Sequence, residues 1–552
     1  MAETLSGIGV SPGVAAGPVA QMAAPPVVPT DAKSSGNPET ENQAAMAAMK
    51  SVATTLEERA SRAPGEAAGV LAAQAMMAED PTLATKVSER VQAGKAAVTA
   101  VVEAFEEFRA MLAAAGPYMA ERVADLDDLR NRTVATLLGV PMPGVPDPGH
   151  PFVLVALDLA PADTATLDAE RVRAIVTEEG GPTSHTAILA KSLGIPAVVA
   201  CRGATAVAEG ETALIDGTEG SVVVGPGEAA VQEALDAEAA RLAALQAVSG
   251  PGRTADGHPV QLLVNIAGDK DLDGAAAADS EGVGLFRTEF LFLDRPNAPT
   301  RDEQQAVYRR VFDAFAGRKV VVRTLDAGAD KPLEFVTVPD EPNPALGVRG
   351  LRTSRRYPEL LEEQLAAVAG AAGGSQAQVW VMAPMVATMA EAAAFAEQVH
   401  GHGLGTAGVM VEVPAAAIRA RHVAAACDFM SIGTNDLSQY TYAADRMAGE
   451  LADLLDAWQP ALLDLVRFTA EAGKTLGKPV GVCGEAASDP LLALVFIGLG
   501  VTSLSMAPVS LPAVRAAVAA HTLAECRGLA ILALDAEDGR AARNAVRAAT
   551  TS

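Results

Sequence analysis

Between Val260 and Val482, short apolar runs recur, each parted from the next by a stretch of helical periodicity. The runs are Val260–Ile266, Gly284–Phe286, Val320–Val322, Leu346–Val348, Val379–Met382, Val409–Val413, Phe429–Ile432 and Val480–Val482. Strands alternating with helices pair in parallel, because each helix returns the chain to the start of a neighbouring strand. Eight such runs after the Gly250-Pro251-Gly252 break predict a closed (β/α)8 TIM barrel over 251–552. A parallel barrel opens all its strand C-termini on one face, and substrates bind there.

The polar residues of this half fall where that face is expected. Arg287-Thr-Glu289 follows the second run, Arg323 the third and Arg349 the fourth. Glu412 falls near the end of the sixth, Asn435-Asp436 follow the seventh, and Cys483-Gly-Glu485 ends the eighth. Guanidinium groups fork onto carboxylate and phosphate oxygens. Glu412 and Asp436 are hard oxygen ligands placed to share one Mg²⁺. A metal and arginines together would neutralise a phosphoryl group in transfer. The Cys483 thiol, protonated at neutral pH when its pKa is about 8.5, can give a proton to carbon. Cys201, Cys427 and Cys526 read as small buried hydrophobes.

The first half is organised differently. Residues 1–30 are short and punctuated by glycine and proline, and read as strand and turn. From 31 to 140 the period is helical, with stripes at Met46/Met49/Ala53/Leu56, Leu83/Val87/Val91, Val98/Val101/Phe105/Phe108/Leu112 and Met119/Val123/Leu126. A proline-rich stretch, Pro141 to Pro151, marks a boundary. Beyond it, strand-like runs alternate with helical ones up to 226, an α/β unit that residues 1–30 would complete. Residues 227–250 read as a linker helix. Within the α/β unit stands Gly180-Gly-Pro-Thr-Ser-His185-Thr-Ala-Ile-Leu189. It predicts a histidine in the first turn of a helix, after a loop of small residues. Unpaired N–H groups and the dipole favour a phosphate there and disfavour the imidazolium, leaving a neutral ring nitrogen as nucleophile.

Composition removes several classes of function. With 68 acidic and 42 basic residues the net charge is −26. Nucleic acid and anionic membranes are therefore disfavoured, and a small basic protein is the better partner. The N-terminus lacks the basic start of a secretory signal, and four cysteines with no CxxC pair suit a reducing compartment. Leu491 to Val514 is uncharged but broken by glycine, serine and proline, which predicts a buried helix followed by a strand and loop. A cytoplasmic protein without membrane insertion is expected.

The His185 run resembles the phosphohistidine motif of phosphoenolpyruvate-utilising enzymes. Gly284-Leu-Phe-Arg287-Thr-Glu-Phe, Arg323-Thr-Leu-Asp326, Met410-Val-Glu412-Val-Pro, Gly433-Thr-Asn-Asp436-Leu and Val482-Cys-Gly-Glu485 resemble the barrel motifs of the Enzyme I family of sugar phosphotransferase systems. So do Gly7-Ile-Gly-Val-Ser-Pro-Gly13 and the runs from Tyr118 to Asp125 and Asp127 to Arg132. The resemblance implies a phosphoryl transfer from phosphoenolpyruvate to Nε2 of His185, supported by Thr164, and then to a histidine of the phosphocarrier HPr. It implies substrate binding by Arg287, Arg323, Asn435, Asp436 and Arg446, with Arg349 nearby, and Mg²⁺ held by Glu412 and Asp436. Cys483 would protonate the enolpyruvate, HPr would dock on the helical insert, and the barrel would form a homodimer. Pro182 in the histidine loop and the alanine-rich insert depart from the family pattern, which leaves the docking residues unassigned. A nucleotide-dependent dikinase or synthase would need a large nucleotide-binding domain ahead of the histidine, where only mainly helical sequence stands. A non-catalytic scaffold binding phosphocarriers would lack a histidine, metal ligand or cysteine that this chain retains.

Overall fold

The computed structural model describes residues 3–550 apart from 24–25, 29–31, 33, 63–73, 115–122, 141–143, 160–166, 169–170, 182–184, 294, 328–332, 334, 338–340, 446–450 and 452–453. The chain divides into two compact units, Met1–Ala239 and Ala240–Ser552.

The first unit contains an eight-stranded sheet and a helical layer. Its strands are β1 (Glu3–Ser6), β2 (Ile8–Ser11), β3 (Val14–Gln21), β4 (Phe152–Ala156), β5 (Val172–Thr177), β6 (Ala197–Val199), β7 (Thr212–Asp216) and β8 (Ser221–Val224). The order across the sheet is β1-β8-β7-β3-β4-β5-β6-β2, so the N-terminal segment does pair into the α/β sheet. Every residue of β4 is buried. Alternate side chains leave opposite faces, so Phe152 and Leu154 enter one core while Val153 and Val155 enter the other.

Between β3 and β4 the chain forms helices Pro38–Arg62, Pro81–Gln92, Ala97–Ala114 and Val123–Leu138. The stripe residues Met49, Leu56, Leu83, Val87, Val91, Val101, Phe105 and Leu126 form a core separate from those of the sheet. Asp80 starts the second of these helices by accepting the Thr82 and Leu83 N–H groups at 2.7 and 3.3 Å. Met119 lies outside the described residues.

Helix Glu228–Ala247 leads to the barrel strands β9 (Gln261–Ile266), β10 (Gly282–Arg287), β11 (Lys319–Arg323) and β12 (Gln378–Ala383). These are followed by β13 (Ala407–Val411), β14 (Phe429–Ile432), β15 (Val480–Val482) and β16 (Ser503–Met506). All pair in parallel and close as β10-β11-β12-β13-β14-β15-β16-β9. The barrel is the expected one, with one stave misassigned. Leu346–Val348 is no strand: Pro344–Leu346 is a 3₁₀ turn and Leu346 is exposed. The N–H groups of Leu346 and Gly347 donate to the Asn343 and Pro344 carbonyls and that of Val348 to the Glu341 carboxylate, so none is left for a ladder. The last stave is β16, within the segment expected to hold helix, strand and loop. Its Ser503 and Ser505 hid it, since they leave only two apolar residues in four. Glu412 therefore follows the fifth strand, Asn435-Asp436 the sixth, and Cys483 the seventh. Arg349 lies in the long β11–β12 connection, not at a strand end. Among the described residues, no single helix is long and apolar enough to cross a membrane.

Candidate active site

Arg323 is the last residue of β11, and all five residues of that strand are buried. Its guanidinium reaches Glu289 at 2.7 Å, Asp326 at 3.2 Å and Glu412 at 4.0 Å. Arg349 continues the network. It contacts Asp326 at 3.1 Å and Asp436 at 3.0 Å, and donates to the Tyr440 hydroxyl at 3.2 Å. Tyr440 in turn donates to the carbonyl of Ala345. The expected Arg323, Arg349, Glu412 and Asp436 are thus brought together. Glu289 and Asp326 join them; both stand in the motifs noted above, two and three residues after an arginine, but sequence reading assigned them no role.

The backbone makes room for this packing. Gly433, between β14 and Asp436, lies so close to Glu412 that an added Cβ would come within 2.8 Å of Cγ. At Gly484 a Cβ would meet Thr434 Oγ1 at 1.9 Å. Met385 adopts φ 58°, in the left-handed region, and its N–H donates to Glu412 Oε2 at 2.8 Å.

Electrostatically the site is unbalanced. Four buried carboxyl groups face two guanidinium groups, so full ionisation of the four would leave a surplus of two negative charges. Burial, then Asp436 and Asp326, push the Glu412 carboxyl up to about 8. Burial opposes the charge on Arg323 and Arg349, but the carboxylates outweigh it and raise both pKa values. Oxygens of Asp326, Glu412 and Asp436 lie within 4.8 Å of one another, and such a group could hold a metal ion. A divalent cation is the charge that would neutralise the surplus. Asp326 is the member of this set that sequence reading missed.

Other expected residues border the cluster. Arg287 ends β10, half-buried, and has no ion-pair partner among the described residues. Its charge is felt at Cys483. Asn435 is half-buried in the first turn of helix Thr434–Tyr442. Cys483 is 2% exposed, and its thiol lies 3.6 Å from the Ile432 carbonyl as donor. Burial pushes this thiol up to about 11, which keeps it protonated at neutral pH. The other cysteines are buried too.

In the first unit, His185 opens helix His185–Leu193, as expected. Ala187 and Ala190 anchor that helix in the sheet core. Thr186 is buried and donates to Asp158 at 3.4 Å, and Gly194 at φ 67° ends the helix. Residues 182–184 and the side chain of His185 lie outside what the structure describes, as do Thr164 and Arg446.

Three family descriptions match in sequence: "PEP-utilising enzyme, N-terminal" over residues 6–122, "mobile domain" over 148–220 and "PEP-binding domain" over 241–523. The chain is 56% identical to the phosphoenolpyruvate-protein phosphotransferase of Streptomyces coelicolor, over 99% of each chain. It is 40% identical to the protein of that name from Haloferax volcanii over 97% of each. Against the Bacillus subtilis protein the identity is 36%, over 92% of this chain and 93% of the other. The chain belongs to the Enzyme I family of phosphoenolpyruvate-protein phosphotransferases.

Proposed function

We propose that this protein takes the phosphoryl group of phosphoenolpyruvate onto His185, releases pyruvate, and passes the phosphoryl group to a histidine of HPr as the first step of sugar phosphotransferase uptake. The observation that carries this reading is the buried network of Arg323, Arg349, Glu289, Asp326, Glu412 and Asp436, built from strand ends of the barrel and the segments that follow them. Its charge and donor set suit a phosphate, a carboxylate and a hard divalent ion. Glu412 and Asp436, with Asp326 beside them, would hold Mg²⁺. When bound, the ion would neutralise phosphate oxygens and offset the two surplus charges.

Arg287, which has no ion-pair partner among the described residues, is open to bind the substrate, together with Arg323, Asn435, Arg446 and Arg349. Asp326 and Glu289 hold two of these guanidinium groups in place before substrate arrives, which supports transfer through positioning. Cys483, kept protonated by burial, gives its proton to the methylene carbon of enolpyruvate. Thr164 supports the phosphorylated Nε2 of His185. Residues 1–30 with 141–226 form the phosphohistidine domain, 31–140 dock HPr, 227–250 link, and 251–552 bind substrate and dimerise. The protein works in the cytoplasm as a homodimer.

The deciding experiment is incubation with labelled phosphoenolpyruvate and Mg²⁺ in the absence of nucleotide. An acid-labile, base-stable label is expected on His185, and none on His185→Ala. A label that survives this substitution, or that needs ATP, overturns the reading.

A further inference from the structure

Below the arginine and carboxylate cluster, the barrel interior holds polar groups that this reading leaves unused. Ser431 is buried on β14, opposite Gly481 of the adjoining β15, two residues before Cys483, and its hydroxyl acts to lower the pKa of the Cys483 thiol. Ser431 also lines a cavity of about 20 Å³ shared with Ser503, Ser505, Lys319 and Trp380. That volume has room for a water molecule with hydroxyl and ammonium partners. Lys319 and Ser503 are the first residues of β11 and β16, so the cavity runs toward the N-terminal face of the barrel.

Lys319 forms its floor. The residue is 6% exposed, and its Nζ donates to Gln261 Oε1 at 2.9 Å and stands 3.9 Å from the Trp380 ring centroid. Gln261, the first residue of β9, is exposed to solvent. Glycines keep the passage clear of carbon: a Cβ at Gly481 would lie 2.5 Å from Ser503 Oγ, and one at Gly284 2.4 Å from Ser505 Oγ. Barrel interiors are ordinarily filled by branched apolar side chains. Burying hydroxyls and an ammonium instead carries a desolvation cost, which the Ser505 bond to Asn265 at 2.6 Å and the Lys319 bond to Gln261 offset only in part. Burial also holds the Lys319 ammonium down to about 8, with Glu281 acting weakly the other way, so it exchanges a proton readily near neutral pH.

We propose that Ser431, a water in this cavity and Lys319 form a proton path that recharges Cys483 from solvent at the barrel floor. The inference rests on Cys483 being the acid. In each turnover the enolate electrons form the ketone, the C=C pair takes the thiol proton at C3, and a thiolate remains. That thiolate takes the Ser431 hydroxyl proton, the hydroxyl takes one from the water, and the water takes one from the Lys319 ammonium. Lys319 regains its proton from solvent beside Gln261. The net change is one solvent proton consumed per pyruvate. Substrate bound above the thiol would close the opposite approach and leave the floor as the route.

The test is rapid-quench measurement of pyruvate with phosphoenolpyruvate, Mg²⁺ and HPr, comparing the first turnover with later ones. Each variant is first shown to be folded by its melting curve and by phosphorylation of His185 from phospho-HPr. Ser431→Ala should form pyruvate in the first turnover and then slow by about 10²-fold, the usual cost of a lost proton-transfer group. Ser431→Thr, which keeps the hydroxyl, should restore the later turnovers. Wild type should slow in steady state as pH rises through about 8, and Lys319→Met should show the same split as Ser431→Ala and lose that fall. Wild-type rates beyond the first turnover in both Ser431→Ala and Lys319→Met overturn the path. So does a loss already complete in the first turnover, which would make Ser431 part of the site geometry alone. Normal stereospecific protonation at C3 in Cys483→Ala overturns the underlying assignment of the acid instead.

Discussion

Glu412 is the residue at which the site's charge is least settled. Its carboxyl sits at about 8, against 4.5 for an unfolded glutamate, because burial and two neighbouring carboxylates disfavour its charge. The folded protein therefore holds more protons than the unfolded chain between those values. Stability must fall as pH rises across that window, by at most about 1.4 kcal/mol per pH unit. Denaturant unfolding of the barrel in chelator should weaken from pH 5 to pH 8 in the wild type. In Glu412→Gln the slope should largely vanish, and Mg²⁺ should stabilise the wild type more strongly as pH rises, since binding displaces the proton. A flat wild-type profile would show that the surplus charge is relieved in another way. Asp326 illustrates what residue-level reading misses. Its sequence position, three after Arg323, looks like a local ion pair, yet it also contacts Arg349 and faces Glu412 and Asp436.

At the scale of elements, the site depends on how closely strand ends approach one another. The turn after β14 and the turn after β15 meet where Gly484 faces Thr434. A methyl group at Gly484 would have to displace Thr434, and with it Asn435 and Asp436. Overpacking of this kind costs about 1–3 kcal/mol. Gly484→Ala should fold with a lowered melting temperature and bind Mn²⁺ more weakly by EPR titration, because Asp436 moves. Unchanged Mn²⁺ affinity would mean that the turn yields without carrying Asp436. The helix opening at His185 is built on the same logic with different means. Ala187 and Ala190 are small enough to bring its first turn down onto the sheet, and Gly194 lets the chain leave it.

For the whole molecule, separate cores in Met1–Ala239 and Ala240–Ser552 predict separate melting. Calorimetry should resolve at least two transitions, with Mg²⁺ raising only the one that belongs to the barrel. A single transition shifted as a whole by the ion would contradict this. Much of that architecture was legible in the sequence, because helical and strand periods record which faces are buried. The stripe at Leu83/Val87/Val91, the all-apolar β4 and the Val320–Val322 run of β11 needed no tertiary information. The placement of Arg287, Arg323, Glu412, Asp436 and Cys483 at or just after strand ends was legible as well, since the ends of parallel strands share one face. Tertiary structure alone decided which eight strands close the barrel. Leu346–Val348 spends its N–H groups on Asn343, Pro344 and Glu341 in a turn, while the serines of β16 face the interior as a partly polar strand. It alone brought Arg349 from a long loop into the cluster and made Asp326 part of a three-carboxylate group. Periodicity encodes burial along the chain, but ion pairs and cavities depend on distances between segments that no local pattern contains.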